Sequence, residues 1–161
     1  MRKDVSTALE AVGWKKKGRI LSRTNDDGIC VSYDGRTVSV TVDGSGFRTD
    51  MTLSGADEFL FVWQMWSLFA APSRRRNVII ALCDDGWTLG YRPSTGFVAV
   101  RDAGPLHCLV AFDASEHLII RITAGRKTVY EYREEFLCDC REAVGKARRI
   151  AIQGELMEAF G

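Results

Sequence analysis

The stretch from Asp57 to Ala71, DEFLFVWQMWSLFAA, is apolar on almost every side. Ser54 to Asp57 form a capping box at its start, so the pattern predicts a helix. With successive side chains turned by about 100°, the polar residues form only a narrow strip along the helix, which we call the polar seam. Because a surface helix normally buries a single apolar stripe, this helix needs cover on two sides, from its own chain or from a second molecule.

The composition favours one globular domain over residues 1–161, with 46% hydrophobic and 27% charged residues and a net charge of +1. This charge implies no bulk attraction to nucleic acid or to an anionic membrane. The aromatic stretch is shorter than the roughly 20 residues of a membrane span, and the N-terminus lacks the apolar core of a secretory signal. With five cysteines at irregular spacing, free thiols in the cytoplasm are the simplest interpretation.

A β-hairpin is the clearest local feature of the first half. Ile29–Tyr33 and Arg36–Val42 alternate apolar and polar side chains around an Asp34-Gly35 turn signal. A two-residue turn would pair Val31 with Val38 and Ile29 with Val40. Around this hairpin the pattern predicts a helix over Asp4–Val12 that ends at Gly13, and strands over Arg19–Arg23 and Phe47–Leu53.

After Pro72 the sequence predicts more strands and then a long helix. Val78–Cys83 is continuously apolar, as a strand covered on both faces would be, and Asp85-Gly86 is a second turn signal that would pair Leu82 with Leu89 and Ile80 with Tyr91. Four further strands are expected over Phe97–Arg101, His107–Phe112, His117–Thr123 and Lys127–Tyr132, with a tight turn at Gly125. A helix over Glu134–Ala151 would place Phe136 and Leu137 on its apolar stripe and would kink or end near Gly154.

The expected fold is therefore α+β, a mainly antiparallel meander with a buried aromatic central helix and a long amphipathic C-terminal helix. The Asp-Asp-Gly pattern at 26–33 returns at 84–91. This echo is compatible with an internal duplication of 1–53 and 54–132 followed by a helix over 133–160, or with two ordinary hairpins.

No pattern for catalysis or for a bound cofactor occurs. The sequence has no G-x-S-x-G, Walker or G-x-G-x-x-G motif. Cys138 and Cys140 would point apart on a helix, and His107, Cys108 and His117 lack the paired spacing of a metal site. We therefore expect no enzyme activity, no metal and no cofactor.

Three basic clusters allow a nucleic-acid-binding interpretation. They could join into a phosphate-binding face, although charges near turns and helix ends are usually solvated. The residues proposed for this patch are Lys15, Lys16, Lys17, Arg74, Arg75 and Arg76.

The order of elements resembles the small type III secretion chaperones of the Tir-chaperone family. The resemblance depends on a short helix, the DDGICVSYDG hairpin, an apolar second helix, the strand-turn-strand TLGYRPSTGFVAV at 88–100 and a long last helix. It implies a cytoplasmic homodimer that holds an extended effector segment. Carried over, the second helix gives the dimer or partner contact, and the first helix and hairpin give residues for core packing or client contact. The first set is Phe59, Trp63, Met65, Trp66 and Phe69, and the second is Val5, Leu9, Ile29, Val31, Val38 and Val40.

Protein binding without catalysis is thus the expected function, most plausibly as a dimeric chaperone for a secreted protein. Shielding of apolar client segments would use groove docking or strand addition. The alternatives are a small inhibitor or immunity protein and a nucleic-acid-binding module. No membrane partner is expected.

Overall fold

The computed structural model describes residues 3–42, 45–50, 58–92 and 94–160, and its contacts divide the chain into unit 1, Met1–Pro72, and unit 2, Ser73–Gly161. The predicted α+β class with antiparallel meanders is confirmed. Unit 1 contains α1 Lys3–Ala11, β1 Lys15–Lys17, β2 Ile20–Thr24, β3 Cys30–Tyr33, β4 Thr37–Val42, β5 Ser45–Asp50 and α2 Glu58–Phe69. Unit 2 contains α3 Arg74–Asp84, β6 Thr88–Arg92, β7 Gly96–Ala103, β8 Leu106–Phe112, β9 Leu118–Ala124, β10 Lys127–Arg133 and α4 Cys140–Phe160.

Unit 1 is a five-stranded meander in the order β1-β2-β3-β4-β5, with α1 and α2 packed together. Alternate residues of β3 and β4 are buried, as expected of a sheet with one covered face. The helix α2 contacts both of these strands and supplies the aromatic part of the core. The predicted cap Ser54–Asp57 and the last residues of the predicted strand Phe47–Leu53 lie outside the described residues.

The β3–β4 hairpin is present, but its register differs from the predicted one by two residues. Val31 pairs with Val40, and Tyr33 pairs with Val38. The loop is longer than a two-residue turn because the Asp34 carboxylate accepts hydrogen bonds from the amides of Arg36 (2.9 Å) and Thr37 (2.8 Å). A shift of two residues keeps every side chain on its predicted face, so alternation could not distinguish the two registers.

Unit 2 is a second five-stranded meander, in the order β10-β9-β8-β7-β6, with α3 and α4 packed together and against its strands. The four strands expected after residue 96 are all present. The expected strand over Val78–Cys83 is wrong, because this run lies inside helix α3. The Ser73 hydroxyl caps that helix by accepting from the Arg76 amide at 3.0 Å.

The Asp85-Gly86 segment ends α3, so the hairpin predicted there is also wrong. Gly86 has φ +95° and follows the helix as Gly13, with φ +100°, follows α1. In both units the next residue is a buried tryptophan, Trp14 or Trp87. Its amide bonds back to a leucine carbonyl, 3.1 Å away in unit 1 and 3.0 Å in unit 2.

The two units also share the order helix, five-stranded meander, helix. They divide after Pro72, whereas the duplication inferred from sequence divides after Leu53. The single-domain organisation and the duplication stay predictions.

The helix α4 begins later than predicted and continues through Gly154 to Phe160, so of the expected kink or end near Gly154 the end is wrong. Phe136 and Leu137 precede the helix and are 83% and 56% exposed, which corrects their assignment to its apolar stripe. Ala143, Val144, Ala147 and Ile150 form the buried face of the helix. Among the described residues, no helix is long and apolar enough to cross a bilayer.

Candidate functional site

The outward face of α2, formed by Phe59, Leu60 and Trp63, carries two of the exposed large apolar side chains of unit 1. Leu60 is 44% exposed and Trp63 is 39% exposed. The ring of Phe59 stacks on Trp63, with ring centroids 6.1 Å apart and planes 12° apart. This stacking holds two large rings side by side at the surface, as in a protein-binding contact.

The opposite face of α2 fixes the orientation of the helix. Its buried side chains fill the core of unit 1: Phe61, Val62, Met65, Leu68 and Phe69. Phe61 meets the ring of Tyr33 edge-on at 6.5 Å, and Phe69 stacks on Phe47 at 5.9 Å. These contacts leave the outward face only one orientation relative to the sheet of unit 1.

The five predicted partner-contact residues therefore divide between the two faces. Phe59 and Trp63 belong to the outward face, whereas Met65 and Phe69 are fully buried within unit 1. Trp66 is half-buried between the Trp14 ring, 6.0 Å away, and the Arg23 guanidinium, 4.4 Å from its own ring. Leu60 is not among the contact residues predicted from the sequence. It follows Phe59 directly and lies at the helical spacing of the polar seam residues Gln64 and Ser67, which marks the outward side.

The six candidate client-contact residues are all in the core of unit 1. The sequence left core packing and client contact open for them, and their burial leaves almost no accessible surface in the folded unit. They are Val5, Leu9, Ile29, Val31, Val38 and Val40.

The basic clusters differ in what they can offer to phosphate. Lys15, Lys16 and Lys17 are all exposed along the edge strand β1. In unit 2, by contrast, Arg75 donates to the carbonyls of Thr95 (2.7 Å) and Phe97 (2.9 Å). Arg76 is buried, and Arg74 binds several groups of its own unit.

The two histidines of unit 2 have carboxylate partners, and burial raises the pKa of two of its cysteines. His107 Nδ1 lies 2.6 Å from Asp102 Oδ1, and His117 Nδ1 lies 3.6 Å from Asp113 Oδ2. Burial raises the pKa of the Cys83 thiol to about 12 and that of Cys108 to about 11, so both thiols stay protonated near neutral pH. Within the described ranges, no three His, Cys, Asp or Glu side chains are placed to hold a metal ion.

A buried hydrogen bond ties the start of α2 to the sheet. The Tyr33 hydroxyl donates to Glu58 Oε1 at 2.6 Å, and both side chains are almost fully buried. Burial and this bond to a carboxylate raise the pKa of Tyr33 well above its ordinary 10.0. The folded protein therefore keeps a proton that the unfolded chain releases near pH 10.

This difference predicts a specific loss of stability at alkaline pH. The contribution of Tyr33 is complete below pH 10 and is lost as the pH rises further, by about 1.4 kcal/mol per pH unit. Urea unfolding at about pH 9 and about pH 11 measures the slope. Tyr33→Phe should start less stable, because Glu58 loses its donor, but should show a shallower alkaline slope. Equal slopes in the two proteins would exclude this origin.

Comparison with known proteins finds no matching family model, no matching curated protein and no matching solved structure.

Proposed function

We propose that this chain is a non-catalytic protein-binding protein and that the outward face of α2 is its contact surface. The observation that carries the proposal is the exposure of Leu60 and Trp63 beside the stacked ring of Phe59. The inward side chains of the same helix already complete the core of unit 1. The apolar surface that Leu60 and Trp63 leave exposed is not part of that core, and its burial against a partner would contribute about 25 cal/mol per Å².

The partner that we favour for this surface is a second copy of the chain, which would give a homodimer. The role that fits this arrangement is a chaperone for a secreted effector, in keeping with the order of short helix, meander and apolar helix in unit 1. Tryptophan is among the residues that dominate binding energy at protein interfaces, which favours Trp63 as the central anchor. An inhibitor or immunity protein could use the same face against a different partner.

The contacts in unit 2 favour protein binding over nucleic-acid binding. Arg74 and Arg75 donate hydrogen bonds to carbonyl and carboxylate groups of their own unit. A phosphate-binding face made from them would have to break these bonds. Of the proposed patch, only the three lysines of β1 remain exposed, and lysines on an edge strand also serve to prevent edge-to-edge aggregation.

The test is a double variant, Leu60→Glu with Trp63→Glu, examined by light scattering across a concentration series. We expect the dissociation constant of the variant dimer to be at least about 100-fold higher than that of the wild-type dimer, because two side chains of the proposed contact are replaced by charges. Stability should change by less than about 1 kcal/mol, since both side chains face outward.

Ile20→Glu provides the matched control, because Ile20 is also an exposed apolar residue of unit 1. It should leave the dimer intact. A wild-type protein that stays monomeric at the highest attainable concentration would contradict the homodimer. Equal dissociation in the control and in the α2 variant would contradict the assigned surface.

A further inference from the structure

Unit 1 contains an open cavity of ≈ 570 Å³, a volume typical of small-molecule sites. It lies between α1, the β1–β2 hairpin and the β3–β4 turn. Apart from Gly18, the lining residues in the described part of the chain are polar or charged, and none of them carries an aromatic ring. The side chains on which the argument depends are Lys3, Ser6, Glu10, Lys16, Arg19 and Asp34.

The secondary structure explains why these groups share the cavity. Lys3, Ser6 and Glu10 are separated by three and four residues, so they lie along one side of α1. In β1, side chains alternate between the two faces, and Lys16 lines the cavity while Lys15 and Lys17 do not. The cavity is therefore formed by a helix, a strand and two turns of unit 1 and not by a single loop.

Among the described residues, the cationic groups of the cavity lack salt-bridge partners, whereas its carboxylates already accept hydrogen bonds. Within the described part of the chain, the cationic groups of Lys3, Lys16 and Arg19 have no ion-pair partner at the distances of a salt bridge. Both carboxylates, by contrast, are already engaged. Glu10 Oε1 accepts from the Ser6 hydroxyl at 3.2 Å, and Asp34 Oδ1 accepts the two amides of its turn. Three free cations thus face a space in which each carboxylate keeps one further oxygen as an acceptor.

We propose that this cavity binds a small phosphorylated, hydroxyl-rich molecule of the sugar-phosphate class. Lys16 and Arg19, with Lys3 opposite, hold the phosphate by charge-assisted hydrogen bonds. The remaining oxygens of Glu10 and Asp34 accept hydrogen bonds from hydroxyl groups of the ligand. A nucleotide fits less well, because the described lining residues offer no aromatic ring on which a base could stack.

The test is titration calorimetry of the full chain with glucose 6-phosphate at low salt. We expect saturable binding with a dissociation constant of about 1 mM or tighter. Lys16→Ala with Arg19→Ala should weaken binding by about tenfold for each cation removed, because bonds to charged groups are lost. Lys15→Ala with Lys17→Ala removes two positive charges from the same region and should change the affinity by no more than about twofold.

Two further probes separate the phosphate from the rest of the ligand. Inorganic phosphate should bind more weakly than glucose 6-phosphate, and glucose alone should bind more weakly still. Glu10→Ala should lower the affinity for glucose 6-phosphate, while the affinity for inorganic phosphate should stay unchanged or rise. The absence of saturable binding, or equal losses in the two lysine-containing double variants, would overturn the proposal. Inorganic phosphate binding as tightly as glucose 6-phosphate would overturn the assignment of the ligand class.

Discussion

Replacing Arg74 by methionine is expected to lower the free energy of unfolding of unit 2 by about 3–5 kcal/mol. Its guanidinium donates to both carboxylate oxygens of Glu134 at 2.7 Å, to the Cys138 carbonyl at 2.6 Å and to the Glu116 carbonyl at 2.8 Å. Glu134 is nearly completely buried. Removal of Arg74 would therefore leave a buried carboxylate without its counter-charge, and that is among the costliest defects in a protein.

The lowered pKa of Glu134 indicates that its surroundings favour the charged form. Burial alone would raise this pKa, but bonds from the Cys138 thiol and the Leu118 amide, together with the charge of Arg74, lower it below its ordinary 4.5. The stabilisation is present above the pKa of the unfolded chain and is lost as the pH falls through the folded pKa. The wild-type protein should accordingly lose stability at acid pH, and Arg74→Met should lose less over the same range.

Urea unfolding followed by tryptophan fluorescence measures this effect, with Trp87 reporting on unit 2. Arg74→Met combined with Glu134→Leu is the informative control, because it removes both charges. It should recover part of the stability lost in the single variant. A single variant less than about 1 kcal/mol below wild type would show that the pair contributes no more than an exposed ion pair.

Phe69→Ala is expected to lower the free energy of unfolding of unit 1 by about 3–5 kcal/mol. Phe69 is fully buried and stacks on Phe47, so truncation removes apolar contacts and leaves a cavity. Trp63→Ala, on the outward side of the same helix, should cost far less, because Trp63 is 39% exposed.

This contrast separates the two faces of α2 by experiment. Urea unfolding of the two single variants measures the stabilities, and light scattering measures association. Phe69→Ala should lower stability, with association affected only through unfolding, whereas Trp63→Ala should weaken association in a folded protein. A similar loss of stability in both variants would mean that Trp63 belongs to the core.

Alternation and turn chemistry were enough to predict most of the strands. The runs after residue 96 alternate or are bounded by glycine, and β7 to β10 form where expected. The register of the first hairpin was not predictable in this way, because the side-chain period of two fixes the face but permits a shift of two residues. The side chain of Asp34 decided the register through its hydrogen bonds to the turn.

The run over Val78–Cys83 shows a different limit. A short apolar run fits a buried strand or a buried helix equally well by periodicity. The deciding signals flank it, with the Ser73 cap before it and Gly86 after it. Weighing these signals would have favoured a helix, since a serine cap before and a glycine after are typical of helix ends.

The helix that carries the candidate site was predictable, and the sequence also held a signal for its outward side. The aromatic richness of α2 identified the helix, and the seam of Gln64 and Ser67 already marked its outward side. The buried pair of Arg74 and Glu134 lay beyond the reach of sequence patterns, because it joins residues 60 positions apart. The cavity of unit 1 was also beyond the reach of sequence patterns, since its cationic residues come from α1, β1 and the following turn.

The most direct test of the central proposal, association through the outward face of α2, is the solution mass of the wild-type chain beside that of the Leu60→Glu, Trp63→Glu variant. The proposal predicts a wild-type mass of twice the 18.0 kDa chain and a folded variant at the mass of one chain. Equal masses for the two proteins, whether monomeric or dimeric, would contradict it.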